Sequence, residues 1–287
     1  MAEPVIQNVS DTAFMVAMWR ALESERPDAL FRDPLAARLA GQHGKDIAAS
    51  VRSRFGPWSV VVRTVIIDDF IQAAIARGVD TVLNLGAGLD TRPYRMALPQ
   101  ALRWIEVDYP ATIALKESGL STEHPGCELE RVKLDLADLP ARARLFADLD
   151  ARSKHMLVLT EGVVSYLSVE QAGMLADDLR RMKSARSWIV DYFSPQTARY
   201  RRRWANAKHL RNAPLRFEPT DWFAFFAQHG WAEKETRFLV KEGRRLNRPV
   251  PLPMLLRVWI QFRRRLVKRK GRDAMARFAG YAVLEPT

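Results

Sequence analysis

The chain has 287 residues, 48% of them hydrophobic, and a formal net charge of +12 at pH 7. That apolar share can bury a sizeable core, which excludes a wholly disordered chain. A single cysteine, Cys127, excludes an intrachain disulfide and a multi-cysteine zinc site, and no uninterrupted apolar run approaches the roughly 20 residues a membrane-spanning helix needs. Met1-Ala2-Glu3-Pro4 shows no basic stretch followed by an apolar one, so no signal peptide and a cytoplasmic setting are expected.

Residues 1–57 read as a helical cap. Ser10 or Asp11 is placed to cap a helix through Met15, Met18, Trp19 and Leu22, and Asp33-Pro34 starts a second helix with proline at its first position. Val62, Val65, Ile66, Phe70 and Ala73 recur at helical spacing, which predicts a long helix over 58–77 stopped by Gly78. Short apolar runs follow at Thr81–Leu85, Trp104–Val107, Glu130–Leu134, Met156–Leu159 and Trp188–Tyr192, each of buried-strand length. Helical stretches separate most of them. The clearest covers 168–183, where Ser168 and Gln171 form a capping box and Val169, Ala172, Leu175, Leu179 and Met182 line one face. Strand–helix alternation implies a mostly parallel α/β sheet with right-handed crossovers and helices on both faces.

The last third changes character. Thr220 or Asp221 caps a short aromatic helix (Trp222, Phe223, Phe225, Phe226) that ends at Gly230. Trp231–Val240 and Phe278–Leu284 are expected to form an antiparallel pair at the sheet edge. Between them, 241–275 reads as a lid: Pro249, Pro251 and Pro253, then a basic amphipathic helix through Leu255, Val258, Trp259, Phe262 and Leu266. The expected organisation is one domain, with a cap at 1–57, a cofactor-binding core at 58–240, a basic lid insertion at 241–275 and a final strand at 276–287.

The chemistry centres on residues 84–92. The strand ending at Leu85 runs into Gly86-Ala87-Gly88, and Asp108 ends the next apolar run, 22 residues after Gly86. Glycine lets backbone turn sharply and approach a ligand closely, and a strand-end carboxylate at this distance accepts from ribose hydroxyls. The expected ligand is a nucleoside-type cofactor. A dinucleotide site would place a third glycine where this chain has Thr91, next to Asp90, and a carboxylate there would repel a pyrophosphate. A cofactor without phosphate escapes that objection.

Taken together, Asn84-Leu85-Gly86-Ala87-Gly88-Leu89-Asp90-Thr91-Arg92, Glu106-Val107-Asp108-Tyr109-Pro110, Asp135-Leu136 and Thr160-Glu161-Gly162-Val163-Val164-Ser165-Tyr166-Leu167 resemble the leucine carboxyl methyltransferase family, most of all its bacterial branch of small-molecule O-methyltransferases. The similarity spans roughly residues 10 to 240. It implies a class I (Rossmann-like) methyltransferase fold and S-adenosyl-L-methionine as cofactor. By the same resemblance Arg63 pairs with the carboxylate of the methionine part, and Gly86, Ala87 and Gly88 let backbone approach it. Asp108 holds the ribose, with Tyr109 beside it. Asp135 and Leu136 border the adenine, and Glu161 lies near the methionine ammonium. Tyr166 is expected to shape the acceptor site, and Arg20 and Arg92 are candidate clamps for an acceptor carboxylate. The N-terminal segment and the lid depart from the eukaryotic leucine carboxyl methyltransferases, which argues against a protein C-terminus as acceptor.

A carboxylate acceptor, with an ordinary pKa near 4, needs no general base, whereas a phenol, near 10, benefits from one. His43, His124, His155, His209 and His229 all lie outside the motif segments, which favours a carboxylate of a small molecule. The alternative is a phenolic acceptor held among Trp222–Phe226, Trp259 and Phe262. No metal is expected. Basic clusters at Arg199–Arg203 and Arg263–Lys270 fit a solvated surface. No nucleic acid is expected, for want of an RNA-binding pattern, though the basic clusters leave an RNA-modifying protein as a lesser alternative. Residues 254–270 offer either the lid or a contact with anionic membrane surface. Oligomeric state is left open.

Overall fold

The computed structural model describes residues 9–51, 53–194, 197, 215–252 and 276–287. The N-terminal cap begins with α1 (Val9–Ser24) and α2 (Pro34–Ser50). Asp33 caps α2, accepting from the Ala36 backbone N–H at 3.1 Å, and Pro34 occupies a first-turn position whose N–H would have no helical partner. Gly41, at φ +55°, breaks α2 into two pieces. Ala17, Met18 and Ala21 of α1 pack on Ala36, Leu39 and Ala40 of α2, with Leu89 and Leu120 closing the cluster. The cap is therefore docked on the segment that carries the glycine turn.

The long helix α3 spans Phe55–Ala76, three residues ahead of its predicted start. Trp58, Val62, Ile66, Ile67, Phe70 and Ile71 are all buried, because α3 covers one face of the sheet while its other side meets α1.

Seven strands form one sheet: β1 (Thr81–Leu85), β2 (Arg103–Asp108), β3 (Glu128–Lys133), β4 (Met156–Thr160), β5 (Ala185–Phe193), β6 (Trp231–Phe238) and β7 (Ala279–Pro286), in the order β3-β2-β1-β4-β5-β7-β6. β1 to β5 pair in parallel, and β7 lies antiparallel between β5 and β6. The helices between them are α4 (Arg92–Arg95), α5 (Pro110–Gly119), α6 (Leu139–Ala151), α7 (Val169–Arg181), α8 (Trp222–Gln228) and α9 (Leu239–Arg245). Residues of α6, α7 and α8 fill the core on one face, and α3 with α9 fills it on the other. Strand order reverses between β1 and β4, and parallel sheets open a ligand crevice beyond the strand C-termini at such a point.

The predicted capping box is present on α7, with Ser168 accepting from the Gln171 N–H and the Gln171 side chain accepting from the Ser168 N–H. Other expectations need correction. β3 ends at Lys133, so Leu134 lies beyond it. β6 ends at Phe238, and Leu239 and Val240 begin α9, so the first residues assigned to the lid are helical. Only one helical turn, α4, follows the glycine turn. Trp222, Phe225 and Phe226 pack into the core, where Phe226 meets Trp188 edge-on at 5.2 Å between ring centroids. The basic stretches 199–203 and 254–270, with Trp259 and Phe262, lie outside the described residues, as does His209. Among the described residues no helix is long and apolar enough to cross a membrane, and no group of His, Cys, Asp and Glu is arranged to hold a metal ion. Cys127 is buried, and that burial, with Glu106 nearby, pushes its thiol up to about 11.

Candidate active site

The site lies where β1, β2, β3 and β4 end side by side. The turn after β1 is held by the backbone of β2: the Gly86 and Ala87 N–H groups donate to the Val107 carbonyl at 2.8 and 3.2 Å. Gly86 and Gly88 sit at φ +65° and +48°, a region that disfavours any side chain. Packing demands glycine as well. A Cβ on Gly86 would lie 2.5 Å from the Val163 side chain, and one on Gly88 3.2 Å from Ala13 of α1. Ala87, between them, is buried.

Asp108, the last residue of β2, reaches back to the turn. One carboxylate oxygen accepts from the Gly88 N–H and the other from the Tyr109 N–H, both at 2.7 Å. Each oxygen retains a lone pair for a further donor. Tyr109 is 48% exposed, and partial burial followed by the carboxylates of Asp135 and Asp108 pushes its phenol up. Asp135 is exposed just past β3, where it accepts from the Ala137 N–H at 2.9 Å. Leu136 is half-buried, its carbonyl held by Arg142 at 2.9 Å.

Glu161 follows β4 directly. Arg63 of α3 stands on one side, Nε to Oε1 2.8 Å, and Arg92 on the other, Nη1 to Oε2 2.9 Å. Burial opposes ionisation of Glu161, but Arg92 and then Arg63 outweigh it and hold the carboxyl below its usual range. Arg63 Nε is buried without a hydrogen bond despite its closeness to Glu161, so the contact is off the N–H axis. Tyr166 ends the 3-10 turn Val164–Tyr166, which follows Glu161 by three residues.

Arg92 is engaged on every side. Its guanidinium donates to Asp68 at 2.7 Å, Asp90 at 2.7 Å and Glu161 at 2.9 Å, and the residue is 2% exposed. Asp90 also accepts from Asn84 at 3.0 Å. Burial opposes ionisation of Asp90, but Arg92 and then Arg20 hold its carboxyl well below the usual carboxylate range. Arg20 is likewise committed: Nε donates to Asp33 at 2.8 Å and Nη2 to the Leu89 carbonyl at 2.6 Å. Both arginines expected to clamp an acceptor are thus tied to protein groups. Both guanidinium groups are buried, so a clamp on an acceptor carboxylate would have to displace these protein partners.

The structure brings Arg63, Gly86, Gly88, Asp108, Tyr109 and Glu161 to one strand edge, with Asp135 and Leu136 at its flank. Sequence reasoning missed Asp68, Asp90 and Arg95 as members of the charge network; Arg95 donates to Asp68 at 2.7 and 2.8 Å. Asp68 carried a signal, since a carboxylate within the apolar run of α3 needs a partner when buried.

Known proteins with this architecture fix its relationship. The family model described as leucine carboxyl methyltransferase matches residues 13–180. The chain belongs to the leucine carboxyl methyltransferase family. Among its relatives, a protein of Streptomyces coelicolor named as an S-adenosyl-L-methionine-dependent methyltransferase is 41% identical over 175 residues, which cover 57% of this chain and 62% of that one. One of Streptomyces avermitilis, named likewise, is 31% identical over 262 residues, 84% of this chain and 89% of its own length. Two crystal structures share the fold: a DUF574 family protein from Streptomyces avermitilis (TM-score 0.57, 14% identity, 96% of this chain and 97% of that chain) and a protein from Thermobifida fusca titled as a methyltransferase (TM-score 0.59, 11% identity, 99% and 96%). This family member has the class I methyltransferase fold, and the matched segment takes in the cap from Ala13, the glycine turn, Asp108 and Glu161.

Proposed function

We propose that this chain methylates the carboxylate oxygen of a small-molecule metabolite. S-adenosyl-L-methionine is the cofactor, and methyl transfer from it is the activity of the family. The observation that carries the cofactor reading is the pairing of Arg63 with Glu161 at the mouth of the glycine turn. An amino acid's carboxylate and ammonium need one cation and one anion side by side, and these two side chains stand 2.8 Å apart with Arg63 Nε lacking an aligned acceptor. The donor set fits the rest of the ligand as well. Asp108 offers carboxylate lone pairs where ribose hydroxyls would sit, and Tyr109 and Leu136 present apolar surface for an adenine ring, with Asp135 beside them.

When bound, the cofactor supplies a methyl group made electrophilic by its sulfonium sulfur. The chain's own work is to hold, orient and exclude water. Arg92 fixes Glu161 from behind, so the carboxylate stays ionised and aimed at the mouth. Gly86 and Gly88 bring backbone rather than side chains to the ligand. A carboxylate acceptor arrives ionised, so the reaction asks for alignment and desolvation and needs no proton acceptor. The described histidines support that reading: His43 bonds Asp11, His229 bonds Asp177, His124 is exposed, and His155 precedes β4 at the opposite strand end. So does the use of Trp222, Phe225 and Phe226 as core rather than as the wall of a phenol pocket.

Two measurements test this. Calorimetric titration with S-adenosyl-L-methionine and with its demethylated product is expected to show binding; a folded sample that binds neither refutes the cofactor reading. Transfer of a labelled methyl to a panel of carboxylic acids and phenols is then scored by mild alkali. Methyl esters release the label and aryl methyl ethers retain it, so alkali-stable product would overturn the carboxylate assignment.

A further inference from the structure

We infer that Asp33 is a positioning residue that locks the N-terminal cap onto the cofactor loop, so that cap docking and cofactor binding are coupled. Asp33 lies outside the motif segments, yet its side chain is fully buried and gathers contacts from several elements. Oδ2 accepts from Arg20 Nε of α1 at 2.8 Å, and Oδ1 accepts from the Thr91 hydroxyl at 2.7 Å and from the Ala36 N–H at the start of α2 at 3.1 Å. Arg95 Nε lies 3.9 Å away. One carboxylate thus joins both cap helices to the segment that follows the glycine turn.

The grip is on both sides of Asp90. Arg20, oriented by Asp33, donates to the Leu89 carbonyl at 2.6 Å, and Thr91, on the far side, donates to Asp33 itself. Asp90 between them orders Arg92 through its guanidinium and its backbone N–H, and Arg92 in turn holds Glu161. Ala13 of α1 closes the same loop by packing over Gly88. Loosening Asp33 therefore frees loop 86–92 without removing any group proposed to touch the ligand. Linkage makes the effect reciprocal: a ligand that needs the ordered loop stabilises the docked cap by the same factor by which the docked cap favours the ligand.

This inference rests on the cofactor reading above, and the experiment separates the two. Titration of the demethylated cofactor into the full-length protein is run for the native sequence, Asp33→Asn, Thr91→Val and, as a control, Asp150→Asn, whose carboxylate accepts from Ser184 before β5. Asparagine caps helices as well as aspartate does, so Asp33→Asn removes the charge while keeping the start of α2. The expected result is affinity weakened about tenfold in Asp33→Asn, within the usual range of coupling between sites, and by a smaller factor of about threefold in Thr91→Val, with Asp150→Asn unchanged. Hydrogen exchange on the native protein provides a second readout, in which bound ligand slows exchange across α1 and the first half of α2. If the native protein fails to bind, the cofactor reading falls and takes the coupling with it. If it binds and Thr91→Val and Asp33→Asn bind equally well, or if α1 and α2 exchange at the same rate with and without ligand, the positioning role alone is overturned. Should Asp33→Asn not fold, Thr91→Val and the exchange experiment decide.

Discussion

Glu106 on β2 and Glu161 just past β4 belong to parallel strands on either side of β1, and each is flanked by two cations, yet the protein treats them oppositely. Glu106 is 0% exposed. Lys116 of α5, also 0% exposed, reaches it at 2.7 Å, and Arg131 reaches its other oxygen at 3.0 Å while donating onward to the Tyr94 hydroxyl at 2.7 Å. That cluster is closed, with its charges answered inside the protein. Glu161 stands at a strand end with side-chain exposure of 14%, and its partner Arg63 keeps 20%. An ion pair sealed under a helix organises the fold. The same composition left open at the crevice, with one donor misaligned, is suited to exchange partners with a ligand.

The contrast can be broken by substitution. Lys116→Met leaves Glu106 buried with only Arg131, and removing one partner of a buried pair costs about 3–5 kcal/mol. Urea unfolding is expected to show that loss, while the folded fraction still binds the demethylated cofactor normally. Glu161→Gln reverses the pattern. Affinity for the demethylated cofactor is expected to drop by about 1.5–3 kcal/mol, the worth of a charged hydrogen bond, with a smaller loss of stability than Lys116→Met. Calorimetry and urea unfolding on the same two variants decide. Equal destabilisation by both, with binding intact in Glu161→Gln, would erase the distinction.

Smaller effects sharpen it. Asp108→Asn keeps an acceptor for one backbone N–H but loses the charge, and is expected to weaken cofactor binding by about 1 kcal/mol with its melting temperature little changed. The acid limb gives the weakest signal. The carboxyl of Glu161 is held below its ordinary value in the folded chain. Its contribution is therefore fully present above the unfolded pKa of about 4.3, and is lost as pH falls through the folded value. The stability difference between the native protein and Glu161→Gln, followed by urea unfolding from neutral pH downwards, should stay constant to about pH 5 and then shrink. A difference that grows on acidification would mean that the pair is not ionised as described.

Much of this was readable from residue order because the signals were local. β1 has the predicted bounds because a short apolar run stops at a glycine turn, and α7 starts at its capping box. Asp33-Pro34 announced α2. Asp108 and Glu161 share an edge because parallel strands place their C-terminal ends on one side of the sheet, which order and resemblance together imply, and Arg63 joins Glu161 there from α3. What stayed hidden depends on contacts across the fold. Nothing near Lys116 says that it will be buried against Glu106. Arg92 looked like a clamp until α3 brought Asp68 against it. The start of α9 was misread because Phe238-Leu239-Val240 is apolar whichever period it follows, and only packing of Leu239 and Val240 on the face covered by α3 settles the helix. The capping role of Asp33 was legible, but its contacts with Arg20 and Thr91 were not, since they span 13 and 58 residues.

The placement of β7 between β5 and β6 has a consequence for biosynthesis. A ribosome delivers β6 before β7, yet among the described residues β6 pairs with β7 alone, so β6 must wait for β7 to join the sheet. Until Ala279–Pro286 emerges, the β5 edge and the β6 edge that pair with it in the finished sheet lack that partner, and unpaired strand edges are the kind that invite chaperones or aggregation. Among the described strands, the one latest in chain order closes a gap inside the sheet. Gly280 leaves it no slack, because a Cβ there would collide with the Arg237 carbonyl.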